Sequence, residues 1–244
     1  MPQPLIRLLV NATEVMKELE RLGSPQTKKT FLRHGCPEPF FGVKIGDLKK
    51  IVKRIKKDTS LAKELYRTGN SDAMYLAGLI ADGSELSLRD LDEWAKKAPW
   101  HMISGYTVPW VATENPDGWG IALKWIDSPE EKISSSGWCT LGSIVSVRED
   151  QVLDLKAVEK LISRVEKTIA KSPNRTRSAM NTFIISVGGY VKALSKSTIA
   201  TAERIGKVEV DMGDTDCRVP YAPDYIRKMI ERGSLGKKRK MVKC

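Results

Sequence analysis

The stretch Phe41–Asp58, FGVKIGDLKKIVKRIKKD, combines apolar and basic residues at the spacing of an amphipathic helix. Its apolar residues fall at i, i+3, i+4 and i+7, namely Leu48, Ile51, Val52 and Ile55. That spacing lines one face of an α-helix. The following stretch Leu61–Asp82, LAKELYRTGNSDAMYLAGLIAD, continues the helical spacing after a short polar break. Together the two stretches predict consecutive helices that pack against each other through their apolar faces.

Helical spacing continues through most of the chain, in about ten to twelve segments separated by short breaks, as expected for an all-helical domain. The pairing of segments predicts an all-α protein, an α-solenoid of stacked helical hairpins, although no strict repeat occurs. Phe183–Tyr190 has a strand-like composition, but we interpret it as helix, with Gly188 and Gly189 allowing close packing. We expect one repeat domain over 1–205 and a C-terminal extension over 206–244 that contains a short helix at Pro223–Glu231.

The composition excludes several classes of protein. The chain has 244 residues, of which 41% are hydrophobic, and no apolar run is long enough to cross a membrane. The first twenty residues lack the features of a signal peptide, so we expect a cytoplasmic protein, nucleoid-associated in a bacterium or nuclear in a eukaryote. The four cysteines are far apart and there are two histidines, which predicts reduced thiols, no metal site and no cofactor.

Basic residues are clustered and give a net charge of +11. The helix predicted around Lys44–Lys57 carries two neighbouring rows of bases opposite its apolar stripe: Lys49, Lys53 and Lys56 in one row, and Lys50, Arg54 and Lys57 in the other. A second basic stretch ends with Arg175 and Arg177. Such surfaces attract phosphate backbones, whereas a solvated helix face is the alternative. The tail with Lys237, Lys238, Arg239 and Lys240 is interpreted as a DNA-binding arm, a localisation signal or a soluble tail.

All six tryptophans lie between Trp94 and Trp138. Trp94 and Trp125 occupy apolar helical stripes, so we assign them to packing. Trp100 and Trp138 follow a proline and a run of small residues, where a ring can face a groove and stack on a base; burial in the core is the alternative.

These stretches, with Asp92–Ser104 (DEWAKKAPWHMIS), resemble the DNA alkylation repair enzyme family, the AlkD-like members of the HEAT-like repeat DNA glycosylase superfamily. The similarity extends over about residues 30 to 205. The resemblance implies a C-shaped solenoid whose concave, basic face holds duplex DNA. It also implies excision of N3- or N7-alkylated purines by two tryptophan rings, an aspartate and a nearby arginine, since charge that develops on the sugar needs a carboxylate and aromatic faces.

Carried onto this sequence by motif spacing, the resemblance retains Trp100 but places Ser104 at the aspartate position. Serines 134–136 fall where the arginine is expected, and Phe183 is an aromatic substitute for the later tryptophan. A relocated carboxylate from Asp92, Glu93 or Glu114, with His101 as acid or base, is the alternative.

Three hypotheses follow from these observations. The first is a DNA-binding protein of the alkylation repair type that either excises bases or does not. The second is a non-catalytic scaffold that recognises bent or branched DNA by shape. The third is a protein–protein adaptor, a common use of solenoid surfaces. The first two imply duplex DNA as the partner of a monomer.

Overall fold

The computed structural model describes residues 11–243, so the expectations about the chain start and Cys244 lie outside the described residues. Within this range the chain forms α-helices joined by short turns, with no named strand. Their bounds are α1 Ala12–Leu22, α2 Pro25–Arg33, α3 Ile45–Ile55, α4 Thr59–Arg67, α5 Ser71–Ile80, α6 Leu88–Lys97, α7 Val108–Glu114, α8 Gly118–Trp125, α9 Glu131–Val147, α10 Leu155–Thr168, α11 Asn174–Tyr190, α12 Ser195–Ile205 and α13 Ala222–Glu231. The all-α prediction is confirmed.

The helices form two layers that differ in burial. The outer helices, such as α3 and α10, bury one apolar stripe and expose the opposite face. The inner helices α5, α9 and α11 are covered nearly all round, and every residue of α5 is buried. The inner helix α9 packs extensively against α8, α7 and α11. This stacking of outer and inner helices is the α-solenoid expected from the sequence.

Local sequence signals explain where several helices begin. Ser24 caps α2 ahead of Pro25, and Ser87 forms a capping box with Asp90 at the start of α6. The amide oxygen of Asn70 accepts hydrogen bonds from the first amides of α5. Each cap satisfies amides that have no partner within the helix. These three side chains therefore fix the starts of α2, α5 and α6.

The basic helix is shorter than its sequence indicates. Helix α3 ends at Ile55, and Lys56 has a φ of +64°, which turns the chain away from the helix axis. Lys56 and Lys57 therefore lie beyond the helix rather than in its rows, which corrects the prediction of two helical rows that run to residue 57. The helical part of the basic surface consists of Lys49, Lys50, Lys53 and Arg54.

The C-terminal extension packs against the repeats through α13. A Cβ atom on Gly188 or Gly189 of α11 would overlap Ile226 and Met229 of α13, so only glycine allows this approach. Phe183–Tyr190 is helical, as predicted, and its glycines have the predicted packing role. The segment that precedes α13 is irregular and runs past the N-terminal end of α11, where Asp211 exchanges two hydrogen bonds with Asn174.

Residues 234–243, named here the C-terminal strap, cross the C-terminal ends of three inner helices. The Gly236 amide donates to the Gly189 carbonyl of α11, and the Arg239 amide donates to the Ser146 carbonyl of α9. Nζ of Lys243 donates to the Ala81 carbonyl at the end of α5, at 2.5 Å. Val242 is buried in the core. The basic tail is therefore docked along the body of the protein.

Candidate nucleic-acid interface

One row of bases at α3 is already neutralised by carboxylates. Lys50 pairs with Asp47 at 2.8 Å, Arg54 forms a two-pronged pair with Glu18, and Lys57 pairs with Asp82 at 2.6 Å. The Lys57 ammonium lowers the pKa of Asp82 to about 2, with help from Ser84. These cations already have partners within the protein, so they are less available to phosphate groups.

The other row is open to solvent. Lys49, Lys53 and Lys56 are exposed, and within residues 11–243 none of them forms an ion pair. Exposed ammonium groups without carboxylate partners displace the cations condensed on DNA when they contact its phosphates, and this release is a main source of affinity for DNA. We name Lys49, Lys53 and Lys56 the free-lysine row. It is the part of the basic surface around α3 that has no carboxylate partner within residues 11–243.

Some residues of the second basic stretch are exposed to solvent, and others are bonded within the protein. Lys156, Lys160 and Lys167 of α10 are exposed. Arg164, on the same helix, pairs with Asp127 and lies over the Trp138 ring, 5.8 Å from its centre. Its guanidinium also donates to the Ile126 carbonyl, so this arginine connects α10 to the end of α8.

Arg175 and Arg177 lie at the N-terminal end of α11, where Arg175 lines one side of an open cleft of about 550 Å³. Arg177 donates to the side chain of Asn174 at 3.4 Å. Arg33 and His34, from the end of α2, line the opposite wall of the cleft. Two acids, Asp211 and Asp214, also line it, and Asp214 lies 3.5 Å from Arg33. The cleft therefore has mixed charge and is not a simple anion site.

The two histidines meet beside this cleft, a pairing that the sequence analysis did not find. The His34 and His101 rings are 6.4 Å apart, and His101 also packs edge-on against Trp100. Burial, together with the charges of Arg175 and His34, lowers the pKa of His101 to about 4. His101 is therefore neutral at physiological pH. The sequence indicates this pairing only in that the chain has two histidines.

Trp100 is nearly covered, with 9% of its surface exposed. Its ring packs against Phe31 of α2, with the ring centres 5.4 Å apart. The void beside it, lined among others by Asp72 and Met102, measures only about 20 Å³. Since a single water needs about 10–15 Å³ by this measure, no base or sugar fits there. Both oxygens of Asp72 accept amide hydrogen bonds from Phe41, Gly42 and Val43, so this carboxylate supports the loop before α3.

Ser104 and Ser136 are brought together by the packing of α9 against the turn after Trp100. The Ser136 hydroxyl donates to the Ser104 carbonyl at 2.8 Å, and both residues are buried. The neighbouring Ser134 shares a hydrogen bond of 2.7 Å with Thr176 of α11. By motif spacing, Ser104 stands at the position of the catalytic carboxylate, and serines 134–136 stand where the arginine is expected. None of these side chains carries a charge.

Comparison with known proteins identifies the family of the chain. The family model described as DNA alkylation repair enzyme matches residues 15–209. The chain belongs to the DNA alkylation repair enzyme family. Uncharacterised proteins of Listeria innocua and Listeria monocytogenes are 34% and 33% identical to it, each over 92% of this chain and 99% of the relative.

A solved structure superposes with a TM-score of 0.89 at 39% identity, covering 96% of this chain and 100% of the other. That structure comes from a new family of proteins related to the HEAT-like repeat DNA glycosylases with affinity for branched DNA structures.

Two of the aromatic residues proposed for DNA contact or catalysis are inaccessible to a ligand. Trp138 and Phe183 are fully buried and pack edge-to-face, with ring centres 5.3 Å apart. This corrects the expectation that Trp138 faces a groove, and it leaves the Phe183 ring no surface to present to a sugar. The small residues before Trp138 allow α9 to approach its neighbours closely: a Cβ on Gly137 would press against Ile126. Trp94 and Trp125 are buried, as predicted.

The acids considered as relocated carboxylates for this family's chemistry all have structural partners. Asp92 accepts from the indole of Trp125 and the ammonium of Lys124, both at 2.7 Å. The Lys97 ammonium lowers the pKa of Glu93. Glu114 accepts from the Gly83 amide and pairs with Lys243 of the strap at 2.8 Å. Asp92 and Glu114 therefore connect separate segments of the chain, whereas Glu93 pairs within its own helix α6.

The strap lysines are likewise used internally. Lys238, whose side chain is 7% exposed, pairs with Asp150 and donates to the Val145 carbonyl. This corrects its assignment as a DNA contact, whereas Lys237, Arg239 and Lys240 remain exposed.

Some kinds of site are not seen in the described part of the chain. Within residues 11–243 no three histidine, cysteine or acidic side chains are grouped as a metal ion requires. No helix in this range is long and apolar enough to cross a membrane. Burial raises the pKa of the Cys36 thiol to about 12, so this buried cysteine stays protonated and unreactive at neutral pH.

Proposed function

We propose that this protein binds branched duplex DNA by shape and charge and does not excise alkylated bases. The observation that carries the proposal is that buried serines occupy the positions that the resemblance implies for the catalytic carboxylate, Ser104, and for the arginine, serines 134–136. Neutral hydroxyls cannot stabilise the positive charge that develops when a glycosidic bond breaks. The DNA-binding part of the proposal rests on the free-lysine row, on the net charge of +11 and on the relative with affinity for branched DNA.

The proposal includes three further expectations. The binding unit is a monomer in the cytoplasm, associated with the nucleoid in a bacterium. The repeat domain over 1–205 provides the free-lysine row, and the extension over 206–244 supports the repeats. DNA is held mainly by phosphate contacts, which position the protein without reading sequence.

Binding is tested by fluorescence anisotropy with a four-way junction and a linear duplex of the same sequence and total length, over a series of salt concentrations. We expect tighter binding to the junction and a steep fall of affinity with salt for both DNAs, about one log unit per log of salt for each phosphate contact. Equal affinity for the two DNAs would rule out recognition of the branch. Affinity that does not depend on salt would favour a protein–protein adaptor instead.

Excision is tested with a duplex that carries one 7-methylguanine, by counting strand breaks after mild alkali. A family member with proven excision activity serves as the positive control. We expect no release of the base above the uncatalysed background. Release that disappears in Trp100→Ala would contradict the proposal and would direct attention to Asp92, Glu93 and Glu114 as the source of a carboxylate.

A further inference from the structure

The open cleft between α2 and α11 contains two cations that come from distant parts of the repeat domain. Arg33 is the last residue of α2, and Arg175 lies in the first turn of α11. Both line the cleft, which has a volume of about 550 Å³. Two separate helices therefore bring a guanidinium group to the same open space.

Both arginines contact residues 211–214 of the C-terminal extension, named here the acidic turn. Nε of Arg33 donates to the Asp214 carbonyl at 2.9 Å and lies 3.5 Å from its carboxylate. Nη1 of Arg175 donates to the Met212 sulphur at 3.4 Å, and a thioether is a weak acceptor. Within residues 11–243 the Arg175 guanidinium has no carboxylate partner, so most of its N–H groups are available to a ligand.

The carboxylates that line the cleft belong to the acidic turn alone. They are Asp211 and Asp214, whereas α2 and α11 contribute the two arginines. Glu131 accepts a hydrogen bond from the backbone amide of Arg175 but does not line the cleft. The mixed charge of the cleft therefore depends on the acidic turn, and the helices by themselves form a positively charged wall on each side.

The acidic turn fits closely over α2 but is weakly attached. Gly213 has a φ of +74°, and a Cβ atom there would stand 2.9 Å from the Arg33 carbonyl oxygen, so glycine allows the approach. The two hydrogen bonds between Asp211 and Asn174 are exposed to solvent, and the Asp214 side chain is 90% exposed. No residue from 211 to 218 is buried. Since exposed ion pairs contribute little in water, the turn can leave the cleft at a small cost.

We propose that Arg33 and Arg175 form a site for a backbone phosphate of DNA, and that the acidic turn occupies this site in the free protein. The inference rests on the proposed function and names a phosphate contact outside the free-lysine row. A guanidinium group binds carboxylate and phosphate oxygens in the same geometry. A phosphate therefore takes the place of Asp214 at Arg33 and of the Met212 sulphur at Arg175, and the acidic turn moves out of the cleft.

The chain offers matched controls on the same segment. Asp216 and Arg218 are exposed, and within residues 11–243 neither forms an ion pair. Asp214→Asn and Asp216→Asn change the net charge equally, but only the first removes a carboxylate that competes with phosphate. Arg175→Gln and Arg218→Gln likewise remove equal charge, but only the first removes a cation of the proposed site.

The experiment measures Kd by anisotropy for a four-way junction made from oligonucleotides with hydroxyl ends, so that every phosphate is a backbone diester. Thermal melts show that each variant is folded. We expect Arg175→Gln to raise Kd about tenfold and to lower the salt slope by about 0.9, the loss of one charged hydrogen-bonding contact to phosphate. Asp214→Asn should lower Kd about 2- to 5-fold, the size of an exposed ion pair. The two control variants should each change Kd by less than about twofold, because screening weakens charges away from the contact.

The decisive comparison repeats Asp214→Asn in a protein that also carries Arg33→Gln. If Asp214 competes with phosphate for Arg33, its removal strengthens binding in the wild-type background and has no effect without the arginine. An equal gain in both backgrounds, or an equal gain for Asp216→Asn, would overturn the competition, because general charge would then explain the result.

Hydrogen exchange follows the acidic turn directly. The Asp211 amide donates to the Asn174 side chain in the free protein. We expect its exchange to become faster when the junction binds, because the turn leaves the cleft. Unchanged or slower exchange would show that the turn stays in place and would overturn its displacement.

Wild-type Kd and salt slope for both Arg33→Gln and Arg175→Gln would overturn the phosphate site while leaving the proposed function intact. A wild-type protein that does not prefer the junction to the matched linear duplex would instead overturn the proposed function, whatever the arginine variants show.

Discussion

The α3 surface and the C-terminal strap are both rich in lysine, but the structure uses their charges in opposite ways. Lys49, Lys53 and Lys56 extend into solvent, whereas Lys238 and Lys243 are buried against helix ends and carboxylates. A helix C-terminus carries partial negative charge on its unpaired carbonyls, so it binds an ammonium group as DNA phosphate does. The comparison shows that a basic run predicts affinity for negative charge but does not say whether that charge belongs to DNA or to the protein.

The sharpest test of the comparison reverses the charge of the free-lysine row. We expect K49E/K53E/K56E to weaken junction and duplex binding at least about tenfold at physiological salt, and to lower the slope of log K against log salt by about 2.7, or 0.9 for each of three phosphate contacts. The measurement is anisotropy over a salt series, with thermal melts as a check on folding.

Its matched control is K156E/K160E/K167E on α10, which changes the net charge by the same amount on a different helix. We expect a smaller loss of affinity for this variant. An equal loss for the two triple variants would show that total charge, rather than the α3 surface, governs binding.

The strap should respond in stability rather than in DNA affinity. Lys243→Met removes the ammonium group that bonds to the Ala81 carbonyl and Glu114, leaving both with one partner fewer. We expect the free energy of unfolding to fall by about 1–3 kcal/mol, the usual cost of leaving buried polar groups unpaired. Urea denaturation at pH 7 measures the change, and Kd for the junction should stay at the wild-type value.

Lys240→Met is the control, because Lys240 is an exposed lysine of the same strap. Its unfolding free energy should lie within about 0.5 kcal/mol of the wild type, as for most surface substitutions. If Lys243→Met is as stable as Lys240→Met, the strap lysine does not contribute to the fold in the way that its contacts indicate.

Raising the pH should change the contributions of Lys57 and Lys243 to stability in opposite directions. The hydrogen bond to Asp82 raises the pKa of Lys57 above 10.5, so its contribution to stability is present below pH 10.5 and is lost as pH rises through the higher folded value. Burial lowers the pKa of Lys243 below 10.5 despite its pairing with Glu114. The folded protein then binds fewer protons than the unfolded chain, so the Lys243 contribution to stability improves as pH rises towards 10.5.

Urea unfolding at a series of pH values, taken as the difference between each variant and the wild type, measures these contributions. Lys57→Met should remove a decline in the free energy of unfolding above pH 10.5. Lys243→Met should remove a rise in the free energy of unfolding below pH 10.5. Difference curves of the same sign for the two variants would contradict the assignment of one lysine to an exposed pair and the other to a buried one.

The sequence was sufficient for features that depend on neighbouring residues. The apolar stripe of α3 and the caps of α2 and α6 follow from spacing and from side chains within one turn. Features that depend on distant residues were missed. Nothing near Lys243 in the sequence indicates that the Ala81 carbonyl is its partner.

Trp138 shows the same limit within the candidate site. The serines and the glycine before it are compatible both with a ring that faces a groove and with a ring buried in the core. In the fold they let α8, α9 and α11 approach closely and bury it. The hydrogen bond from the Ser136 hydroxyl to the Ser104 carbonyl likewise depends on how α9 packs against the turn after Trp100. Whether a small residue opens a surface or closes an interface is decided by the helix packed against it, which the local sequence does not contain.

The smallest expected effect distinguishes adjacent lysines on α3. Lys49 and Lys50 are both exposed, but Lys50 is paired with Asp47 at 2.8 Å. Lys49→Gln should lower the salt slope of DNA binding by about 0.9, the contribution of one phosphate contact. Lys50→Gln should lower it by less than half as much, because a lysine that already pairs with a carboxylate neutralises a phosphate less fully and so displaces fewer cations from the DNA. Both variants should keep wild-type stability to within about 1 kcal/mol, as expected for exposed ion pairs. Equal slopes for the two variants would mean that the Asp47 pair opens when DNA binds, and the distinction between paired and free rows would then apply only to the unbound protein.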